Sequence, residues 1–223
     1  MRRSSQVSLL GAMFALFTVF ASSESIQIGS YQTGGPNLGN NNTAVESLGS
    51  SSSTTYALNP GSVWASAGPN SVWVSNNPGS GPGGTYVAPS GIYSYTTTFN
   101  TLAGNTYSGY LWILADDTTA ILFNGRLLES AGILGSDAHC ADGPPNCRTP
   151  TQIALPSDYF LTGLNTLQFD LQQAILSAGL DFYGSATGTS DSSPVPEPGT
   201  LFLLGVGLMG SAGLLSRKFR SSL

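Results

Sequence analysis

Between Gly91 and Leu171 the chain alternates apolar and polar residues with a period of two, and that pattern leaves little room for anything but β-structure. In Ile92–Phe99 the residues Tyr93, Tyr95, Thr97 and Phe99 share one face, and later Leu167, Phe169 and Leu171 alternate with Gln168, Asp170 and Gln172. Successive side chains of a strand point to opposite sides, so each run predicts a strand with one dry and one wet face. Thr106–Ala115 differs, with Tyr107, Leu111 and Ile113 on one face and Tyr110, Trp112 and Leu114 on the other. That predicts a central strand covered on both sides. Asp116-Asp117 is expected to turn the chain into Thr119–Phe123, and Asn124-Gly125 is the strongest short hairpin signal, leading into Arg126–Leu128. Leu180-Asp181-Phe182 repeats the alternation and is expected to close the domain.

The part before this, residues 24–90, is loop-rich. Gly29–Ser53 and Asn76–Gly91 are dense in Gly, Asn, Ser and Pro, which predicts long connections between short strands at Ile26–Ile28, Thr54–Leu58 and Val72–Val74. No helix-period stretch interrupts the body, so the fold class is all-β. Its sandwich core is expected over residues 91–185, followed by a linker at 186–195.

Both ends of the chain have a different character. Arg2-Arg3, the apolar stretch Val7–Phe20 and the small residues Ala21-Ser22-Ser23 have the order of a secretory signal peptide, residues 1–23. At the other end, prolines 194, 196 and 198 predict an extended, exposed strip, and the uncharged run 200–215 follows it. As a helix that run spans roughly 24 Å, slightly short for a typical hydrocarbon core of about 30 Å. Arg217, Lys218 and Arg220 come next, a basic cluster that would hold this end on the cytoplasmic side.

Of the seven basic residues, Arg126 and Arg148 alone lie outside these terminal segments, while Glu24, Glu46, Asp116, Asp117, Glu129 and further carboxylates make the body acidic. Nucleic acid is thereby excluded as an expected partner, since affinity for it rests on phosphate neutralisation by Lys and Arg. An acidic surface rich in Ser, Thr, Asn and Gly suits the outside of a cell.

The segment 194–223, with Val195-Pro196-Glu197-Pro198, the apolar run and the basic cluster in that order, resembles the PEP-CTERM sorting signal of bacteria that export exopolysaccharide. The resemblance implies that Pro196, Glu197 and Pro198 are recognised by an exosortase, a membrane-embedded cysteine transpeptidase-like enzyme. Arg217, Lys218 and Arg220 would be the stop-transfer cluster, and the chain would be held in the inner membrane for a time before reaching the cell surface or extracellular matrix. A second resemblance covers Gly91–Tyr183. Tyr110–Gly125, with Ala115-Asp116-Asp117 and Phe123-Asn124-Gly125, followed by Gly163-Leu164-Asn165 and Leu167–Leu171, is similar to the galactose-binding-like jelly-roll β-sandwich. Many carbohydrate-binding modules use that fold. These pieces recur there because they build turns, so they imply fold rather than ligand.

Chemistry-bearing residues are few. His139 is the single histidine, beside Asp137, Cys140 and Asp142. A zinc reading through His139, Cys140, Cys147 and Asp142 competes with a plainer one, in which Cys140 and Cys147 close a disulfide in an oxidising compartment. Asp116 and Asp117 have three readings: a turn that caps local amides, a calcium site with Asn124 and nearby carbonyls, or a hydrolytic carboxylate pair. The last has poor geometry, because adjacent strand residues point to opposite faces. No cofactor is expected outright; calcium at Asp116 and Asp117 is the option the sequence leaves open.

Trp64, Trp73, Tyr86, Tyr93, Tyr95 and Tyr110 are candidates for a platform on which sugar rings stack. Trp64 and Trp73 lie near Gly/Pro/Asn loops, where a binding rim is expected, whereas Trp112 is expected in the core. No Gly-x-Ser-x-Gly motif or second histidine is present. The expectation is a non-enzymatic surface or matrix protein that binds carbohydrate, the alternative a secreted enzyme acting on extracellular polysaccharide.

Overall fold

The computed structural model describes residues 23–32, 44–47, 54–135, 140–190 and 205. Its strands are β1 Glu24–Gly29, β2 Ala44–Ser47, β3 Tyr56–Leu58, β4 Trp73–Ser75, β5 Gly91–Thr101, β6 Asn105–Asp116, β7 Thr118–Phe123, β8 Arg126–Glu129, β9 Thr151–Leu155, β10 Gly163–Gln173 and β11 Gly179–Ser190. A 3-10 turn, Ser157–Tyr159, follows β9. The strands form two antiparallel sheets. Sheet I has the order β3-β4-β11-β6-β9, with β1 also pairing β11, and sheet II has the order β2-β5-β10-β7-β8.

Alternation in the sequence sets which faces meet. Tyr93, Tyr95, Thr97 and Phe99 of β5 lie opposite Leu171, Phe169, Leu167 and Asn165 of β10, and all of them are buried. Against them sheet I sets Leu111, Ile113 and Ala115 of β6 and Leu180 and Phe182 of β11. Phe169 and Phe182 stack across the two sheets with ring centroids 4.3 Å apart. Phe160, just past the 3-10 turn, closes one end by meeting Phe123 edge-on at 4.9 Å and Tyr107 face-on at 5.6 Å. Each such side chain removed from water contributes about 1.5–3 kcal/mol, so this interlayer, rather than the short N-terminal strands, holds the sandwich together.

The Asn124-Gly125 turn is as the sequence predicts. Both residues have positive φ, 50° and 76°, as a turn that matches strand twist requires, and Phe123 pairs with Arg126 across it.

Four expectations need correction. The strand β6 is central in pairing, between β11 and β9, yet its outer side is not covered along its length: Tyr110 is 54% exposed and Trp112 is half-buried rather than core. Only near Leu114 does a loop layer close over it. Ala44–Ser47, expected in a loop, pairs with Thr96–Tyr93 as an edge strand of sheet II. Residues 186–190, expected in the linker, continue β11 against β6 as far as Ser190↔Asn105. Asp181, expected on a wet face, is fully buried.

Residues 1–22, and with them most of the expected signal peptide, lie outside the described residues. So do Val195, Pro196, Glu197, Pro198, Arg217, Lys218, Arg220 and, apart from Gly205, the apolar run 200–215. Among the described residues no helix is long and apolar enough to cross a membrane.

Candidate functional site

Trp64 and Trp73 do meet, but inside the protein. They stack with centroids 4.3 Å apart and are 4% and 0% exposed. Trp64 Nε1–H donates to Asp116 Oδ2 at 2.6 Å, and Trp73 Nε1–H donates to the Ala65 carbonyl at 2.9 Å. Both indole N–H groups therefore have acceptors, as buried indoles require. Gly179 lies beneath the pair, and a Cβ there would come within 2.5 Å of the Trp64 ring. Cys140 and Cys147 form a disulfide, Cα atoms 5.5 Å apart, that packs into the same cluster with Leu58 and Leu114. The Cys147 carbonyl accepts from Ala65 N–H at 2.9 Å, tying the disulfide loop to the tryptophan loop. The loops that looked like a binding rim thus fold over the end of β6 and seal it.

Asp116 and Asp117 belong to this sealed end, where the chain passes from sheet I to sheet II, and they are 0% and 2% exposed. Asp117 Oδ2 accepts from Ala174 N–H at 2.6 Å, and the Asp117 carbonyl accepts from Ala141 N–H at 3.1 Å. The turn reading has these side chains capping local amides; the contacts they make are instead to groups more than fifty residues away, Trp64 and Ala174. Asn124 sits at the other end of β7, seven residues on, roughly 23 Å along an extended strand. There its amide donates to Tyr159 O and Asn165 Oδ1, both at 2.8 Å, and its Oδ1 accepts from Thr166 N–H at 2.8 Å. A shared calcium site of Asp116, Asp117 and Asn124 is excluded by that separation. The zinc set is likewise broken, because a disulfide leaves no thiolate to ligate. His139 lies outside the described residues.

Of the other tyrosines, Tyr93 and Tyr95 are core and Tyr86 is partly buried against it. Tyr110 alone among the proposed platform residues stands well into solvent, on the outer face of sheet I. Strand pairing surrounds it with Ser185 of β11 and Ala154 of β9, and places Trp112 opposite Tyr183 one row away. Trp112 and Tyr183 stack at 5.7 Å with planes 6° apart, and Tyr110 approaches Trp112 at 6.4 Å. In the row beyond, Ser108 pairs Thr187, which in turn pairs Ser25 of β1.

Beside Tyr110 this face forms a groove of about 320 Å³, walled by Pro156 and edged by Ser108, Ser157, Ser185 and Thr187. The strand residues that line the groove are Ser108, Gly109, Tyr110, Ala154, Leu155, Ser185 and Thr187, none of which carries a carboxylate or an amine, and the one carboxylate of this face of β11, Asp181, is buried. Such a surface offers hydroxyl donors and acceptors beside apolar ring area. That arrangement suits a polar, uncharged ligand held by hydrogen bonds and stacking.

The aromatic row is held from below. Asp181, on the same face of β11 as Tyr183, accepts from Ser30 Oγ at 3.0 Å and from Gly68 N–H at 2.8 Å. Burial pushes its carboxyl above the usual range, and hydrogen bonds from Ser71, Gly68 and Ser30 pull partly the other way. Gly68, fixed by that bond, lies so close to Tyr183 that a Cβ would come within 1.9 Å of the ring. Tyr183 is therefore clamped between Gly68 and Trp112.

Trp112, Tyr183, Ser108, Ser185 and Thr187 were not singled out as ligand contacts in the sequence. The signal that finds them is the pairing of two β-runs, once their inward residues, Leu111 and Ile113 on one and Leu180 and Phe182 on the other, fix which side faces out.

Among curated proteins nothing matches the chain. A family model described as the PEP-CTERM protein-sorting motif matches residues 194–218. Those residues hold the Pro-Glu-Pro segment, the apolar run and the first two basic residues after it, which the sequence had set apart. The chain thus carries a PEP-CTERM protein-sorting motif, which marks it as an exported protein sorted at the membrane by an exosortase.

Proposed function

We propose that the exported domain is a non-enzymatic protein of the cell surface or exopolysaccharide matrix and that it binds neutral glycan on the outer face of sheet I. The observation that carries this reading is the groove at Tyr110: an exposed ring, a second aromatic pair beside it, and hydroxyl-bearing neighbours without charge. Sugars present both hydroxyls and flat C–H faces, and this surface complements each of them. Sheet order also supports a jelly-roll reading, since β9, β10 and β11 fall alternately in sheets I, II and I. The burial of Asp116 and Asp117 counts against a hydrolytic role for that pair, which would have to meet water and substrate.

The test is retention of the exported protein on arrays of neutral and anionic polysaccharides, with and without a calcium chelator. Retention on neutral glycans, indifferent to the chelator, is expected. Absence of retention on every glycan would sink the reading, and release of reducing ends would put an enzyme in its place.

A further inference from the structure

We propose that the end of the sandwich from which the chain runs on to its sorting segment docks on the lipid bilayer while the protein is tethered there. This is independent of glycan binding. Ser190, the last residue of β11, pairs with Asn105, and Glu24, the first residue of β1, pairs with Gly188, so the domain begins and leaves its fold at the same end. Three exposed leucines cap that end. Leu102 follows β5, while Leu161 and Leu164 flank the start of β10, and they are 60%, 55% and 60% exposed. Thr101 Oγ1 donates to Leu161 O at 2.6 Å, and Thr101 pairs with Gly163, which fixes the two leucine-bearing loops side by side. At the same end Arg126 lies over the Tyr159 ring at 3.6 Å and pairs with Asp158 at 3.0 Å. Leucines beside an aromatic ring and a guanidinium form the combination that suits a lipid interface, with apolar side chains among the acyl chains and the cation at headgroup level.

Length of chain selects the occupant. Exposed apolar residues occur at the far end too, Ile175 among them at 51%, so exposure alone does not distinguish the two ends. Nine residues, 191–199, separate β11 from the apolar run that begins at Thr200. Fully extended they reach at most about 30 Å, and as a flexible coil about 15–18 Å. The far end lies a further ~35–40 Å away along β11. A bilayer that holds residues 200–215 is therefore within reach of Leu102, Leu161 and Leu164, and Ile175 is held away from it. Docking would keep the Pro-Glu-Pro segment at the membrane surface until processing, after which loss of the tether leaves a contact weak enough to release.

Bromine-labelled acyl chains quench tryptophan at short range. We would reconstitute the full chain in vesicles of phosphatidylethanolamine and phosphatidylglycerol carrying such chains and compare L161W with I175W. At least twofold stronger quenching of L161W is expected, falling to the I175W level when L102S and L164S are added. Failure of the chain to float with the vesicles, or equal quenching in L161W and I175W, would overturn the proposal. So would shielding of L161W from a soluble quencher without bromine quenching, since a second copy of the chain would then be what covers the tip.

Discussion

Two places in this protein bring tryptophan and polar side chains together, and their exposure is opposite. At the sheet-crossing end, Trp64, Trp73, Asp116 and the Cys140–Cys147 bridge are packed away from water, with both indole N–H groups given to internal acceptors. On the outer face of sheet I, Tyr110, Trp112 and Tyr183 stand partly in solvent among serines and threonines. Both regions are built around tryptophan. What separates a structural cluster from a binding surface is whether the polar atoms have partners within the protein, and only the second region leaves ring area and hydroxyls for a ligand.

The contrast can be broken by removing each region in turn. The largest effect is expected in the buried cluster. W73A should cost about 3–5 kcal/mol of stability in urea or thermal unfolding, while the fraction that remains folded keeps its glycan affinity. Lost affinity in the folded fraction would show that the cluster takes part in binding. Opening the bridge with C140S/C147S should cost about 2.5 kcal/mol by the loop-entropy relation, again without a change in binding.

A subtler effect sharpens the boundary between the two regions, because Asp181 lies between them, paired with Leu114 of the buried cluster and bonded to Gly68, which packs on Tyr183. Its carboxyl is raised above 3.8 by burial, so its contribution to stability is fully present below the unfolded value and is lost as pH rises through the folded one. D181N has no such titration. The stability of the wild type relative to D181N should therefore be greatest at acid pH and decline toward neutrality, read as paired unfolding curves from pH 3 to 7. A constant difference across that range would mean that Asp181 is not desolvated as described.

Legibility in the sequence followed the range of the interactions. The strands β5, β6, β7, β8 and β10 were readable because alternation is a local property, and Asn124-Gly125 because a turn needs only its own two residues, whereas β9, Thr151–Leu155, was not singled out. The sorting segment was readable because its parts are contiguous. The tryptophan cluster was not, since Trp64 meets Asp116 across 52 residues and nothing near Trp64 announces that its loop folds inward. Trp112 was misplaced because a strand apolar on both faces looks doubly covered, and the same pattern arises when one face carries aromatic residues left open. Asp181 looked like a wet-face residue because its partners, Ser30 and Gly68, come from distant loops.

The smallest expected change in stability belongs to the measurement that matters most. Y110A removes a ring that is 54% exposed and should shift unfolding by less than about 1 kcal/mol. Titrated with the neutral polysaccharide that best retains the wild-type protein, Y110A should bind at least tenfold more weakly at unchanged stability. Wild-type affinity in Y110A, together with lost affinity in folded W73A, would contradict the account and return the binding site to the tryptophans.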